Sequence, residues 1–512
     1  MESSFTTLDW VVFASYFMIL IGSSIYLSRI KIENSRDYFV GGNAMPMWAV
    51  AISVLATTQS AATFLGGPEF AYKKDLTFLG FYVSAFLAVI FVAKVLIPRF
   101  YAINAVTVYE LLEIRYGTSA KKNAGKMFLV GRLFASGARL YIGALAISMI
   151  LFMDIEAMHV ALSIAILVLG ALAYTYFGGV KSIIYSDIIQ AVTYISAALI
   201  MLFFLYSSLN ADFSTIVNTL AADGKLRLYD FSLDFSTAGG FNVWGLLTGW
   251  LLLNIAAYGL DQDMTQRVLS CKNKKEGERA IVFSVLMTIP VVILFLLIGV
   301  LLYLYYEHPE FSGFVGGVEQ NFAGEKITIL MYYILHEMPE GLRGLVTVGA
   351  IAAALSSTNS VLGAMSSVAI EDLYKPWKQQ QGKIDEYHFV KAARVGVLVF
   401  ALLLALMAML SFYWQRYSEV PLLSFALGVM AFAYSGLLGV YFSAIFTKRG
   451  NEQTVLFGLI GGFVTVLLLQ PYILGAIIEY QLGFAWQIVI GTVVAFGIVQ
   501  LGSATQKEEN RA

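Results

Sequence analysis

Residues 45–68 read MPMWAVAISVLATTQSAATFLGGP. The middle of this apolar run is crowded with Thr57, Thr58, Gln59, Ser60 and Thr63, and Gly66, Gly67 and Pro68 close it. Hydrocarbon offers no partner to a freed backbone amide or carbonyl, so an interrupted helix survives in a bilayer only where side chains, water or a ligand satisfy those groups. Hydroxyls, glycines and a nearby proline are what such an interruption needs. The stretch predicts a discontinuous helix unwound near Ala56 to Ser60. A continuous helix with its hydroxyls bonded back to its own carbonyls is the competing reading.

The surroundings fit a membrane setting. The 512 residues are 59% hydrophobic and 13% charged, with a mean hydropathy of +0.74, far from soluble-protein composition. Runs of spanning length recur throughout, at residues 8–28, 46–67, 77–98, 124–152, 158–177, 181–207, 241–260, 280–305, 342–371, 389–413, 419–446, 453–471 and 484–503. These thirteen spans predict an all-α polytopic membrane protein with no soluble domain. The first reads as a retained span, because no small-residue cleavage site follows it. Cys271 is the single cysteine, which excludes an intrachain disulfide.

Most of the 33 Lys and Arg fall in alternate connections: Arg29 to Arg36, Arg99 to Lys126, Lys181, Arg267 to Arg279, Lys375 to Arg394, and Lys448 onward. The positive-inside rule then puts the N-terminus outside and the C-terminus, with a tail at 504–512, in the cytoplasm. Two longer external connections, 208–240 and 306–341, are expected. The second contains an apolar stretch, Ile327 to Leu335, that predicts a short packed helix.

Three polar features sit inside spans. Residues 352–360 read AAALSSTNS; at about 100° per residue Gly349, Ser356, Ser357, Ser360, Gly363 and Ser367 share one face, with Asn359 at its edge. Small residues alone would make a packing seam, but this face holds more oxygen than packing requires. Asp187 lies about 9 Å inside its span at 1.5 Å per residue, and facing lipid it needs a partner; a fixed charge that helps hold a cation, with Gln190 on the same face, and an interfacial Asp wetted from the cytoplasm are the two readings. Arg139 lies in mid-membrane, with Ser136 and Arg132 on its face. A guanidinium there requires an anion or an aqueous cavity, and bidentate capture of a carboxylate is the natural use of its fork; a structural salt bridge is the alternative. The four histidines show no metal-ligand spacing, and no nucleophile elbow, phosphate loop or nucleic-acid motif stands out, so enzymatic chemistry has no visible seat.

In this order, DYFVGGNAMPMWAVAISVLATTQSAATFLG (37–66), the GG-to-SDIIQ segment (178–190), DQDMTQRVL (261–269) and AAALSSTNS resemble the sodium/solute symporter family over nearly the whole chain, and its bacterial sialic acid symporters most. The resemblance implies a LeuT-like fold of two inverted five-helix repeats, 46–207 and 241–446, with one helix before (8–28) and two after (453–503). It implies a first Na+ site from the carbonyls of Ala56, Gln59 and Ala353 with the hydroxyls of Ser356 and Ser357. A second Na+ set, found in some members, would be Asp187, Ser356, Asn359 and Ser360; the two-sodium members carry Ser where Asn359 stands. Thr58, Ser60, Thr63, Phe78 and Arg139 fall at substrate positions, Tyr82 replaces an amide there, and Tyr258 is a candidate gate or lining residue.

The expected activity is Na+-driven import of a small carboxylate, sialic acid or a related sugar acid, by alternating access. The protein is expected to act as a monomer in the lipid bilayer of a bacterial inner membrane, without a nucleic-acid partner. Sodium-coupled transport of a neutral sugar or amino acid, proton coupling through Asp187, a passive channel and a membrane sensor are the alternatives.

Overall fold

The computed structural model describes residues 5–29, 31–236, 240–382, 384–417, 422–477 and 481–503; the expected cytoplasmic tail lies outside them. Helices occupy the expected positions: α1 Thr7–Leu27, α2 Met47–Thr58, α3 Ala61–Lys73, α4 Leu79–Ala102, α5 Thr118–Phe152, α6 Ala157–Ser207, α7 Val243–Gly259, α8 Gln262–Leu269, α9 Lys274–Glu307, α10 Leu342–Gln379, α11 Glu386–Tyr417, α12 Leu422–Phe446, α13 Glu452–Leu468 and α14 Phe484–Gln500. Among the described residues eight are long and apolar enough to cross a bilayer. The bent pairs α2–α3 (65°) and α7–α8 (51°) raise the number to ten. The expected count of thirteen treats α6 as two spans and includes α13 and α14, which have 17 residues each.

Several helices outrun their apolar windows. α5 starts at Thr118 rather than 124, and α10 runs to Gln379 rather than 371. Charged residues continue these helices past the hydrocarbon, so hydropathy marks the buried part and not the helix end.

α6 is interrupted where the sequence places a loop. Gly179 has φ 56° and ψ −149°, and a Cβ there would stand 2.3 Å from the carbonyl oxygen of Tyr38, so only glycine fits. The interruption frees carbonyls, and the Tyr38 hydroxyl donates to those of Thr175 (2.7 Å) and Tyr176 (3.2 Å).

α10 runs through the centre of the bundle, with nearly every residue from Val346 to Ser367 buried, and packs most extensively on α6. Its first amides would be orphans, and Asp9 of α1 accepts from the amides of Gly341 (2.8 Å) and Gly344 (2.7 Å). In the 306–341 connection the expected packed helix is present at Ile329–His336, almost wholly buried.

Candidate functional site

The interruption between α2 and α3 falls at Gln59 (φ −90°, ψ 127°) and Ser60 (φ −128°, ψ 171°), both extended. The Ala56 carbonyl would meet the Ser60 amide in a continuous helix, and here that partner lies beyond the break. Neighbouring hydroxyls stay local: Thr57 donates to the Ser53 carbonyl (2.8 Å), Thr58 to that of Leu55 (2.7 Å), and the Ser60 side chain caps α3 through the Thr63 amide (3.4 Å). The Gln59 side chain is buried beside Tyr82, and neither of its amide atoms makes a well-formed hydrogen bond.

A cavity of about 330 Å³ opens against this break, walled by α2 to α5, α7, α8, α10 to α12 and α14. Thr58, Ser60, Tyr82, Arg139 and Tyr258, five of the seven residues expected to touch a substrate, line it, together with Ser136, Asn254, Asp263, Ser357 and Tyr434, which sequence reasoning had not assigned to a substrate. Thr63 and Phe78 are not in the lining. The Thr63 amide donates to the Ser60 side chain that caps α3, and Phe78 packs among Phe70, Phe241 and Tyr82, with ring centroids 5.0–5.8 Å away, so both stand beside lining residues.

Arg139 is solvent-exposed within the bundle, and no acid pairs with it among the described residues. The structural salt bridge considered for it belongs to Arg132, one face-repeat away. Arg132 is buried, ion-paired with Asp261 and 3.6 Å from Asp263; Asp261 also accepts the Tyr434 hydroxyl. Both guanidiniums on α5 border the cavity, but among the described residues Arg132 is ion-paired and Arg139 is not.

The serine face of α10 divides in two. Ser357 lines the cavity and bonds back to the carbonyls of Ala354 (3.0 Å) and Ala353 (3.4 Å). Ser356 points behind it and donates to Asp187 Oδ1 (2.8 Å), while Thr57 of α2 and Ser360 of α10 join across the two helices at 3.0 Å. The donor set suits Na+: a carbonyl released by the break, helix carbonyls and neutral hydroxyls, all hard oxygens.

The second set is built differently from expectation. Arg267, assigned from sequence to a cytoplasmic connection, is buried on α8, all eight residues of which are buried. Its guanidinium lies 3.3 Å from Asp187 Oδ2, 3.0 Å from Asp263 Oδ1 and 2.7 Å from the Ser53 hydroxyl, and donates to Ser360. Ser53 also donates to Asp187. Asp187 therefore has the partner its depth demands, and a cation entering here must displace a tethered guanidinium. Asn359 donates to Ser186 (3.4 Å), with its Oδ1 unpartnered, and both amide atoms of Gln190 are buried and unbonded.

Away from the centre, the fold brings Asp154, Glu156 and His159 together, with ligand atoms within 4.8 Å, a grouping that spacing did not disclose. The His159 ring is engaged at 2.7 Å by the carboxylate of Asp154.

A model of the sodium:solute symporter family matches residues 38–462. The sodium/sialic acid symporter of Aliivibrio fischeri is 28% identical over 500 residues, covering 96% of this chain and 92% of that protein. That of Proteus mirabilis is 27% identical, covering 90% and 89%. Among solved structures, a Na+-coupled sialic acid symporter in a substrate-bound outward-open state superposes with a TM-score of 0.82 at 25% identity, over 98% of this chain and all of that one.

Proposed function

The chain belongs to the sodium:solute symporter family, and from that membership we propose that it imports a small organic anion, a sialic acid or related sugar acid, with its carboxylate held by Arg139. The fold is LeuT-like, the activity is sodium-coupled symport rather than catalysis, and the protein is a multi-pass inner-membrane transporter. The observation that carries the substrate assignment is the Arg139 guanidinium, exposed to a cavity inside the bundle with no protein anion spent on it. A free guanidinium in mid-membrane is costly, so a site that keeps one is built for an anion. The relatives named for sialic acid carriage support the same class.

In this reading the carboxylate takes the fork of Arg139, and Thr58, Ser60, Asn254 and the phenols of Tyr82 and Tyr258 offer hydrogen bonds to the rest of a polar solute. Na+ binds between the Ala56 and Gln59 carbonyls, the Ala353 carbonyl and the hydroxyls of Ser356 and Ser357. It thereby ties the α2–α3 break to α10, and since Ser357 also lines the cavity, ion and substrate share a wall. That shared wall is the physical basis of coupling: each ligand stabilises the arrangement the other needs. A second Na+ at Asp187, Ser356, Asn359 and Ser360 enters only as Arg267 withdraws. The N-terminus lies outside, the C-terminus in the cytoplasm, and a monomer suffices, since the cavity is walled by one chain.

The test is uptake of a radiolabelled sialic acid into proteoliposomes under an inward Na+ gradient, with choline replacing Na+ at fixed pH as the control. Uptake that survives in choline overturns sodium coupling; failure of every sugar acid to be carried or to compete overturns the substrate class.

A further inference from the structure

The connection after α6 shows apolar side chains where a link surrounded by water would hide them. Residues 225–236 read KLRLYDFSLDFS. Leu228, Tyr229, Phe231, Leu233 and Phe235 are all exposed, Phe231 by 69% and Leu233 by 68%. From Tyr229 onward these residues alternate with Asp and Ser, and the acids are engaged locally. Asp230 pairs with Arg227 (2.7 Å) and accepts the Ser232 amide (3.0 Å), and Asp234 accepts the Ser236 amide (2.8 Å). The backbone is pinned to the protein as well. The carbonyls of Arg227, Asp230 and Phe235 accept the amides of Leu76 (3.1 Å), Val243 (2.8 Å) and Gly483 (2.7 Å), and that of Asp234 accepts Asn242 Nδ2 (2.6 Å). The segment is thus fastened across the starts of α4, α7 and α14 by its polar atoms, with its apolar side chains left bare.

A contiguous run of exposed apolar side chains marks a surface that something covers. The helices beside it say what does. Trp244 and Leu247 at the start of α7, and Ile490 and Val493 on α14, are likewise exposed, and on helices of a membrane bundle such faces are covered by lipid. The Phe235 ring lies 4.7 Å from that of Trp486, in the first turn of α14, so the bare side chains adjoin the lipid-facing surface at its edge. Aromatic residues concentrate at that level, where a ring meets acyl chain on one side and headgroup on the other. Irregular backbone is barred from the hydrocarbon core unless its polar groups are satisfied, whereas the hydrated boundary accepts it. Here four carbonyls are already bound by the protein.

We propose that residues 228–235 are an interfacial anchor whose partner is the lipid surface, with Tyr229, Phe231 and Leu233 seated among the headgroups and upper acyl chains. The 208–240 connection is then a membrane-bound strap and not a plain aqueous link. It also touches the substrate site. The Phe235 carbonyl holds the Gly483 amide, and the next residue, Phe484, lines the central cavity. The bilayer therefore steadies the part of the cavity wall at the start of α14. Seating in lipid needs neither substrate nor Na+, and the topology proposed above decides only which leaflet is engaged.

The experiment places a single nitroxide at chosen depths of the full-length protein in phosphatidylcholine vesicles. Cys271 is the only cysteine and is buried, so a Cys271→Ala background, or wild type itself should that background fail to fold, leaves one reactive thiol per variant. Phe231→Cys and Leu233→Cys carry the test labels. Val493→Cys on α14 is the lipid reference, and Val315→Cys, 95% exposed in the 306–341 connection, is the aqueous one. Each label is read for collision with oxygen, which concentrates in acyl chains, and with a water-soluble nickel chelate. Labels replacing Phe231 and Leu233 are expected to show an oxygen-to-nickel ratio several-fold above that at Val315 and approaching that at Val493. A ratio equal to that at Val315 overturns the anchor. Shielding from both reagents also overturns it, because a protein partner or a second copy of the chain then covers the segment. The readout requires no transport, so failure of the proposed function leaves the anchor standing, and an aqueous segment leaves that function untouched.

Discussion

Replacing Arg139 by alanine separates recognition from folding because of where its guanidinium points. The side chain faces the cavity and pairs with no acid among the described residues, so its removal breaks no ion pair and relieves a costly mid-membrane charge. Bound to a carboxylate, its fork makes two charge-assisted hydrogen bonds, each about 1.5–3 kcal/mol net. Water in the cavity favours the lower figure, about 3 kcal/mol for the pair. At about 1.4 kcal/mol per tenfold, affinity falls roughly a hundredfold. Arg139→Lys keeps the charge but loses the fork, and a loss of about tenfold is expected. The melting temperature of both variants stays at or above that of wild type. Arg132→Ala is the contrasting control: it strands Asp261 in the core, costs about 3–5 kcal/mol and unfolds the protein at lower temperature. The assay is calorimetric titration of purified protein with a sialic acid in saturating Na+, alongside thermal denaturation without ligand. Binding by Arg139→Ala within threefold of wild type, or a stability loss as large as that of Arg132→Ala, refutes the assignment.

Ser357→Ala removes one neutral oxygen from the first Na+ site, about 1 kcal/mol or several-fold in Na+ half-saturation, whereas substrate affinity at saturating Na+ changes little; Na+ titrations of uptake separate the two. Gly179→Ala forces a Cβ to within 2.3 Å of the Tyr38 carbonyl at positive φ, so a loss of about 1–3 kcal/mol is expected and read as a lower melting temperature. In the connection after α9, His308 binds Asp223 (2.8 Å) and Glu310 (2.9 Å). Partial burial works against its charge, but hydrogen bonds and charge from those two acids outweigh it and raise its pKa above 6.5. A raised folded-state pKa means that the contact is fully present below pH 6.5 and is lost as pH rises through the higher folded value. Hydrogen exchange in Phe213–Ala222, corrected for intrinsic rates, should therefore quicken across that window, and His308→Gln should abolish the dependence.

The break in the first repeat was legible because its cause is local: Thr, Ser, Gln, Gly and Pro crowd the middle of an apolar run. The mid-membrane Arg139 and the buried Asp187 could be found because each is a charge inside an uninterrupted hydrophobic window. Arg267 escaped for the opposite reason. It sits in DQDMTQRVL, polar enough to read as a connection, yet the fold buries every residue of α8. Its surroundings come from α2, α6 and α10, 80 to 214 residues away in sequence, and periodicity within one segment carries no trace of them. Thr63 and Phe78 stand next to the lining residues Ser60 and Tyr82 without lining the cavity themselves, a distinction that depends on how neighbouring helices pack.

Among the described residues the centre of the bundle holds Arg132, Arg139 and Arg267 against Asp187, Asp261 and Asp263, three cations for three anions. An empty carrier so balanced recrosses the membrane without moving charge at its core, and the membrane potential neither drives nor resists that return. One monocarboxylate with one Na+ leaves the sum at zero, while a second Na+ leaves it at +1 and exposes the loaded step to about 2.3 kcal/mol per 100 mV. If the proposed second Na+ binds at Asp187, the current that accompanies each substrate molecule counts it.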